Sequence, residues 1–295
     1  MADTGAIIAG GFRLLRERPL SVAVWGVVYT AANFGLMFAL MPIMIGQTMN
    51  SGGPNFGMIG FIYLLEFLVA CVSLVLFSAA FRAIYRPEES AGAYIRVGAD
   101  EGRLIVQWLI LAVLFIVLTI VSVLLFSILA GVVGATAGNS GAGVAVGLVL
   151  GLALFCFFIW LAVRLSLVLP VAALRRKVGL DVAWNATRGQ FWSLFGAYLV
   201  LAIIQIALAV IAFLPVIGTF FAIIGSAMQN PESATALNPM AGLATGLGMM
   251  VYLGIAYVIV IGISIAMWGG ATATAARELT GLSAEDLGAL EEDFR

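Results

Sequence analysis

The chain has 295 residues, 63% of them hydrophobic and 10% charged, with a mean hydropathy of +1.14. A soluble domain carries about 25% charged residues, and repeated apolar stretches of roughly 20 residues or more exclude one here. They leave a polytopic helical membrane protein. The formal net charge of -1 says little, because the location of charge matters more than its total.

The chain has no histidine. This removes histidine-based triads, histidine-ligated zinc or haem, and the usual near-neutral proton carrier. Cys71 and Cys156 lie inside apolar segments and read as small core residues, with no disulfide framework or metal site. The first apolar segment is too long for a signal-peptide core, so no cleaved leader is expected.

Residues 5–18 form an amphipathic segment in which Ile8, Phe12 and Leu15 share a face. Such a helix suits the headgroup region. Pro19 opens the first span, about 20–46, with Asn33 near its middle and a small-residue row of Ala31, Gly35 and Ala39. The second span, about 57–81, carries Glu66 well inside it. Residues 82–103 are charged, and a second short helix is expected over Ser90–Arg103. The third span, about 104–134, exceeds the need of a bilayer and must tilt or project.

The fourth span, about 142–163, has Gly143, Gly147 and Gly151 in one row. That row reads as a close-packing face or as a glycine-rich helix start. A basic connector follows, with Arg164, Arg175, Arg176, Lys177 and Arg188. Asp181 suits the start of a third amphipathic helix with a stripe of Leu180, Trp184, Thr187 and Phe191. The fifth span is about 192–225, interrupted by Pro215, and the sixth about 240–276, with Gly242 and Gly246 repeating the small-residue row. The tail, 277–295, holds a capping-box pattern from Ser283 to Asp286. Its acids are expected to fold it back on the basic connector.

All 14 Lys and Arg residues fall before the first span, after the second, after the fourth and after the sixth. The positive-inside rule then puts both termini in the cytoplasm. Amphipathic segments precede spans one, three and five at spacings of about 84 and 87 residues, a hydropathy and charge repeat. The expected fold is all-α: one membrane domain over 1–295, with six transmembrane helices in three hairpins. Each hairpin follows a short cytoplasmic interfacial helix.

The run R-x-S-L-x-L-P from Arg164 to Pro170, followed by G-L-x-x-A-W-x-x-T-R-G-x-F-W from Gly179 to Trp192, resembles the YciC-like membrane proteins. It also resembles the related membrane domain fused to some bacterial glycerophosphoryl diester phosphodiesterases. Tyr94 to Glu101, Y-I-R-V-G-A-D-E, fits the same pattern. The resemblance implies a bacterial inner-membrane protein. The resemblance also implies that the phosphodiesterase activity belongs to the fused soluble domain; these 295 residues leave no room for it and hold none of the histidines it uses, so that activity is not expected here.

Three polar residues, Asn33, Glu66 and Gln205, lie at similar depth. Glu66 is nine residues into its span, roughly 13 Å below the outer surface at 1.5 Å per residue. Two readings stand: a polar cavity for a proton, cation or polar ligand group, or a neutral Glu66 acting as interhelical hydrogen-bond glue. Arg164, Arg175, Arg176, Lys177 and Arg188 are candidate lipid-headgroup contacts. Trp25, Trp108, Trp184 and Trp192 suit an interfacial aromatic belt.

The expected function is therefore a non-enzymatic inner-membrane protein that binds or organises lipids or membrane partners. The alternative is a small transporter built around Glu66. Membrane lipids, other membrane proteins or a second copy are the expected partners, with no nucleic acid, no cofactor and no metal.

Overall fold

The structure is a computed structural model and describes residues 3–49, 56–88, 91–137, 140–175, 180–229 and 239–281. It is all-α. In chain order the helices are α1 (Thr4–Glu17), α2 (Pro19–Met49), α3 (Phe56–Tyr85), α4 (Ala99–Ala137), α5 (Ser140–Leu165), α6 (Val168–Arg175), α7 (Leu180–Ala186), α8 (Phe191–Gln229) and α9 (Pro239–Thr280). Six of these, α2, α3, α4, α5, α8 and α9, are long and apolar enough to cross a membrane. The chain is an integral membrane protein by this criterion.

The local sequence explains the helix boundaries. Pro19 and Pro239 each occupy the first position of a helix, where a missing N–H costs nothing. Asp100 and Glu101 sit in the first turn of α4, against the positive end of its dipole. Helix α4 has 39 residues, about 58 Å at 1.5 Å per residue, so it projects well beyond a hydrocarbon core of about 30 Å. Its long exposed row of Val113, Ile116, Val117, Ile120 and Leu124 is what a lipid-facing helix requires.

The chain divides into two compact units. One is built on Val97–Gly196, the other on Gly5–Arg96 with Ala197–Ala271. The first unit holds α4, α5, α6 and α7. In that unit α4 packs along α5, and the short helices α6 and α7 pack on each other, on α4 and on α5. Helix α6 is buried nearly all round, through Val168, Pro170, Val171, Ala172 and Leu174.

In the second unit α9 is the spine, and glycines set its contacts. A Cβ on Gly262 would stand 2.6 Å from the Val22 carbonyl oxygen, and one on Gly26 would run into the Val258 carbonyl. Toward the basic end of α9, a Cβ on Gly270 would meet the Gly10 oxygen at 2.5 Å, and one on Gly269 the Ala80 Cβ at 2.6 Å. Helices α1, α2 and α3 thus all approach α9 with backbone against backbone or against alanine, the closest packing available to helices. The core around these crossings contains Leu14, Val22, Trp25, Leu76, Ala79, Ala80, Tyr94 and Ile265.

Several sequence expectations change. Helix α1 buries Ile7, Gly10, Gly11 and Leu14, while Phe12 is exposed. Its inner stripe lies one residue away from the one read from large side chains, because its glycines are what fit α9. The expected small-residue rows do not pack: a Cβ would meet nothing within 4 Å at Gly35 or Gly151, and only ordinary contact with Phe126 at Gly147. The surroundings of Gly143, Gly242 and Gly246 lie outside the described residues, as does the tail from 282 onward. Cys156 is exposed and Cys71 half-buried, so neither is a full core residue.

The helix expected over Ser90–Arg103 is replaced by a tight turn, Ala91–Tyr94, and by the early start of α4 at Ala99. Gly92, Ala93 and Tyr94 have φ of 62°, 55° and 65°, the left-handed region that costs non-glycine residues about 1–2 kcal/mol each. Side chains hold this turn. Trp25 Nε1 donates to the Ala93 oxygen at 2.8 Å, and Arg82 Nη1 donates to the Tyr94 oxygen at 2.8 Å. The Tyr94 hydroxyl donates to the Pro87 oxygen at 3.1 Å, and the Arg18 guanidinium lies 5.8 Å from the Tyr94 ring centre. Trp25 is therefore a fully buried structural residue and no part of an interfacial belt. Trp192, 78% exposed, is free to serve in one.

Candidate functional site

Two constellations bear on function, one in each unit. In the second unit a groove of about 440 Å³ is lined by Asn33, Phe34, Leu36, Met37, Leu40, Phe213, Leu253 and Tyr257. The five α2 residues follow i, i+1, i+3, i+4 and i+7 spacing, one stripe of a helix. Phe213 comes from α8, and Leu253 and Tyr257 from α9. The Tyr29 and Tyr257 rings lie 6.4 Å apart, which fixes the Tyr257 ring beside the groove. The Tyr252 hydroxyl donates to the Ala212 oxygen at 2.7 Å, tying α9 to α8 near the Phe213 wall.

The lining is apolar except for Asn33 and Tyr257. Asn33 Nδ2 donates to the Tyr29 oxygen at 3.0 Å, within its own helix, which leaves Oδ1 as an acceptor. The volume lies in the range of small-molecule sites, about 300–1,000 Å³. Among the described lining residues the Tyr257 phenol is the one ionisable group, and such a groove can bind an apolar molecule and orient it.

The three expected polar residues do not form one site. Asn33 lies at the groove. Gln205 Nε2 donates across helices to Ser264 Oγ at 2.5 Å, and the Ser264 hydroxyl donates in turn to the Val260 oxygen at 2.7 Å. Gln205 thereby joins α8 to α9, the interhelical hydrogen bond expected of a polar residue in an apolar bundle. Glu66 corrects the expectation most sharply. It is exposed on α3, on the same side as exposed Tyr63, and hydrogen-bonds neither Asn33 nor Gln205. A carboxyl on an outward face belongs neither to an enclosed polar cavity nor to interhelical glue.

In the first unit Arg164, in the last turn of α5, is turned inward. Its Nη1 donates to the Trp184 oxygen at 3.2 Å and to Thr187 Oγ1 at 3.3 Å. The guanidinium carbon lies 4.5 Å from the Trp184 ring centre and 5.6 Å from that of Trp160. Those two rings meet edge to face at 5.8 Å. Thr187 is fully buried, and its hydroxyl is placed between the Trp184 oxygen at 3.0 Å and the Arg164 oxygen at 3.3 Å. A cation at the C-terminal end of α7 also meets the negative end of that helix. Arg164 therefore clasps α5 to α7 and does not turn outward to a headgroup. Of the expected stripe, Thr187 is buried and Trp184 and Phe191 are half-buried, while Leu180 is exposed.

Arg164→Lys should weaken this clasp, because an ammonium keeps the charge but loses the planar stack and the paired donors. Opening of Leu180–Ala186 should become about tenfold more frequent for a loss near 1.4 kcal/mol, read by hydrogen exchange. Of the other basic candidates, Arg188 is exposed and Arg175 half-buried. Arg176 and Lys177 lie outside the described residues.

The sequence singles out Asn33 and Arg164, though in other roles, and does not single out Tyr257, Phe213 or Trp160. The α2 stripe was available as a spacing; nothing in the sequence said which helices would stand opposite it. No family model, no curated protein and no solved structure matches this chain.

Proposed function

We propose that the chain is a non-enzymatic membrane protein of the bacterial inner membrane, of the YciC-like kind, that holds lipid in the lateral groove of its second unit. The observation that carries this reading is the groove itself: an apolar slot of about 440 Å³ on membrane-spanning helices, built from α2, α8 and α9 side chains. In a bilayer such a surface is filled by acyl or isoprenoid chains, since water there has no partners. The exposed position of Glu66 speaks against the transport reading, which needs Asn33, Glu66 and Gln205 around one cavity. The groove is thus the support for reading the role as handling lipid or organising membrane partners.

A photoreactive benzoylphenylalanine placed at Leu253 should capture a defined lipid in membranes. The same residue at Val113, on the exposed row of α4, should give only diffuse background. Equal, unselective labelling at both positions would remove the groove as a site.

The proposed topology places both termini in the cytoplasm. Cysteines at Ser51, Ser140 and Ser233 should react with an impermeant thiol reagent added outside intact cells, and one at Ser90 should stay unlabelled. Labelling at Ser90 would overturn the orientation.

A further inference from the structure

We infer that the groove selects an uncharged lipid carrying a carbonyl or hydroxyl group within its apolar body, of the quinone or prenol type, and that Asn33 and Tyr257 recognise that group. The inference rests on the reading of the groove as a lipid site and names its ligand class.

Six of the eight described lining residues are apolar, and neither of the other two is charged. An ionised headgroup placed there would lose its hydration with no counter-charge to replace it. Yet the groove is not a plain hydrocarbon slot. Among the described residues Asn33 Oδ1 has no donor, since the hydrogen bond of that side chain there is from Nδ2 to the Tyr29 oxygen. The Tyr257 hydroxyl makes no hydrogen bond among the described residues. A third hydroxyl, that of Thr30, is buried without a partner one turn toward Pro19, on the α2 stripe that carries Phe34. Polar groups left unpaired in an apolar medium cost free energy, and lipid tails offer them nothing.

Depth narrows the ligand. Asn33 lies 14 residues into α2 from Pro19, about 21 Å along the axis at 1.5 Å per residue. Counted from Pro19, that lies inside a hydrocarbon core of about 30 Å, roughly 9 Å short of its far edge. The ester groups of a glycerophospholipid stay at the interface, so its tails alone would reach this level and leave Asn33 and Tyr257 unanswered. A quinone carbonyl can accept from the Tyr257 hydroxyl and from the second N–H of Asn33 Nδ2, the first being spent on the Tyr29 oxygen. A prenol hydroxyl can accept from Tyr257 and donate to Asn33 Oδ1. Neither ligand carries an ionised headgroup to anchor it at the interface, and the apolar walls of Phe34, Met37, Phe213 and Leu253 suit their bodies.

The test uses the full chain in nanodiscs of phosphatidylethanolamine and phosphatidylglycerol, with decylubiquinone and farnesol as probes, counted above protein-free nanodiscs. The wild type should retain at least one probe. Tyr257→Phe and Asn33→Leu, which keep apolar bulk, should each lower retention about three- to tenfold, the value of one hydrogen bond. Lipid capture at Leu253 should persist in both variants. Retention unchanged in both variants, or no retention of either probe by the wild type, overturns the inference; if capture at Leu253 continues, the lipid reading of the groove still stands. Loss of that capture in the wild type overturns both.

Discussion

Gly262→Leu is expected to abolish the packing of the second unit. A Cβ alone would stand 2.6 Å from the Val22 carbonyl oxygen and 3.5 Å from the Gly26 Cα. Both are backbone atoms and cannot step aside without separating α2 from α9. Gly262→Ala should cost about 1–3 kcal/mol, as overpacking of tight contacts does. The apparent melting temperature in detergent should then fall by about 2–4 °C per kcal/mol. The leucine should exceed this and leave little monodisperse protein by size-exclusion chromatography. Gly35→Ala supplies the contrast: with nothing within 4 Å of its Cβ, alanine there should be neutral or stabilise the helix by about 0.5–1 kcal/mol. Equal effects at the two positions would contradict the close α2–α9 crossing.

The second large effect concerns the left-handed turn. Arg82→Met should remove the charged donor on the Tyr94 oxygen, a hydrogen bond of 2.8 Å made by a side chain that is 9% exposed. Hydrogen bonds to charged groups are worth about 1.5–3 kcal/mol, and the acceptor would be left buried. Ala93→Gly should act in the opposite direction, because its φ of 55° strains an alanine by about 1–2 kcal/mol and a glycine very little. Thermal unfolding should therefore move down for Arg82→Met and up for Ala93→Gly. A fall for both would mean that the turn is not left-handed.

The spans were legible because apolar runs of this length have one solution in a bilayer, and all six appear as long helices. Their contacts were legible only in part. The glycine rows at Gly35 and Gly151 follow the familiar i, i+4 rhythm yet touch nothing, whereas the packing glycines are dispersed. Gly10, Gly11 and Gly26 lie on α1 and α2, and Gly262, Gly269 and Gly270 on α9. Their spacing of seven or eight along α9 is a signal, but it gains meaning only when the antiparallel partner is known.

Polar residues misled for a related reason. Depth along a span can be counted from sequence, whereas the direction a side chain points depends on which helices surround it. Counting placed Asn33, Glu66 and Gln205 at one level; rotation sends Glu66 outward, Gln205 to Ser264 and Asn33 to the groove. Trp25 and Arg164 read as interfacial from their positions near span ends. Their buried roles depend on the Ala93 and Trp184 carbonyls, which a turn and a short helix bring to them.

A cryo-EM map of the full chain in lipid nanodiscs tests the proposed lipid site most directly. It should show an elongated density seated between Phe34, Met37, Phe213 and Leu253, with its polar point between Asn33 and Tyr257. A groove closed by collapsed side chains, or lipid density no stronger there than along the α4 face, would contradict it.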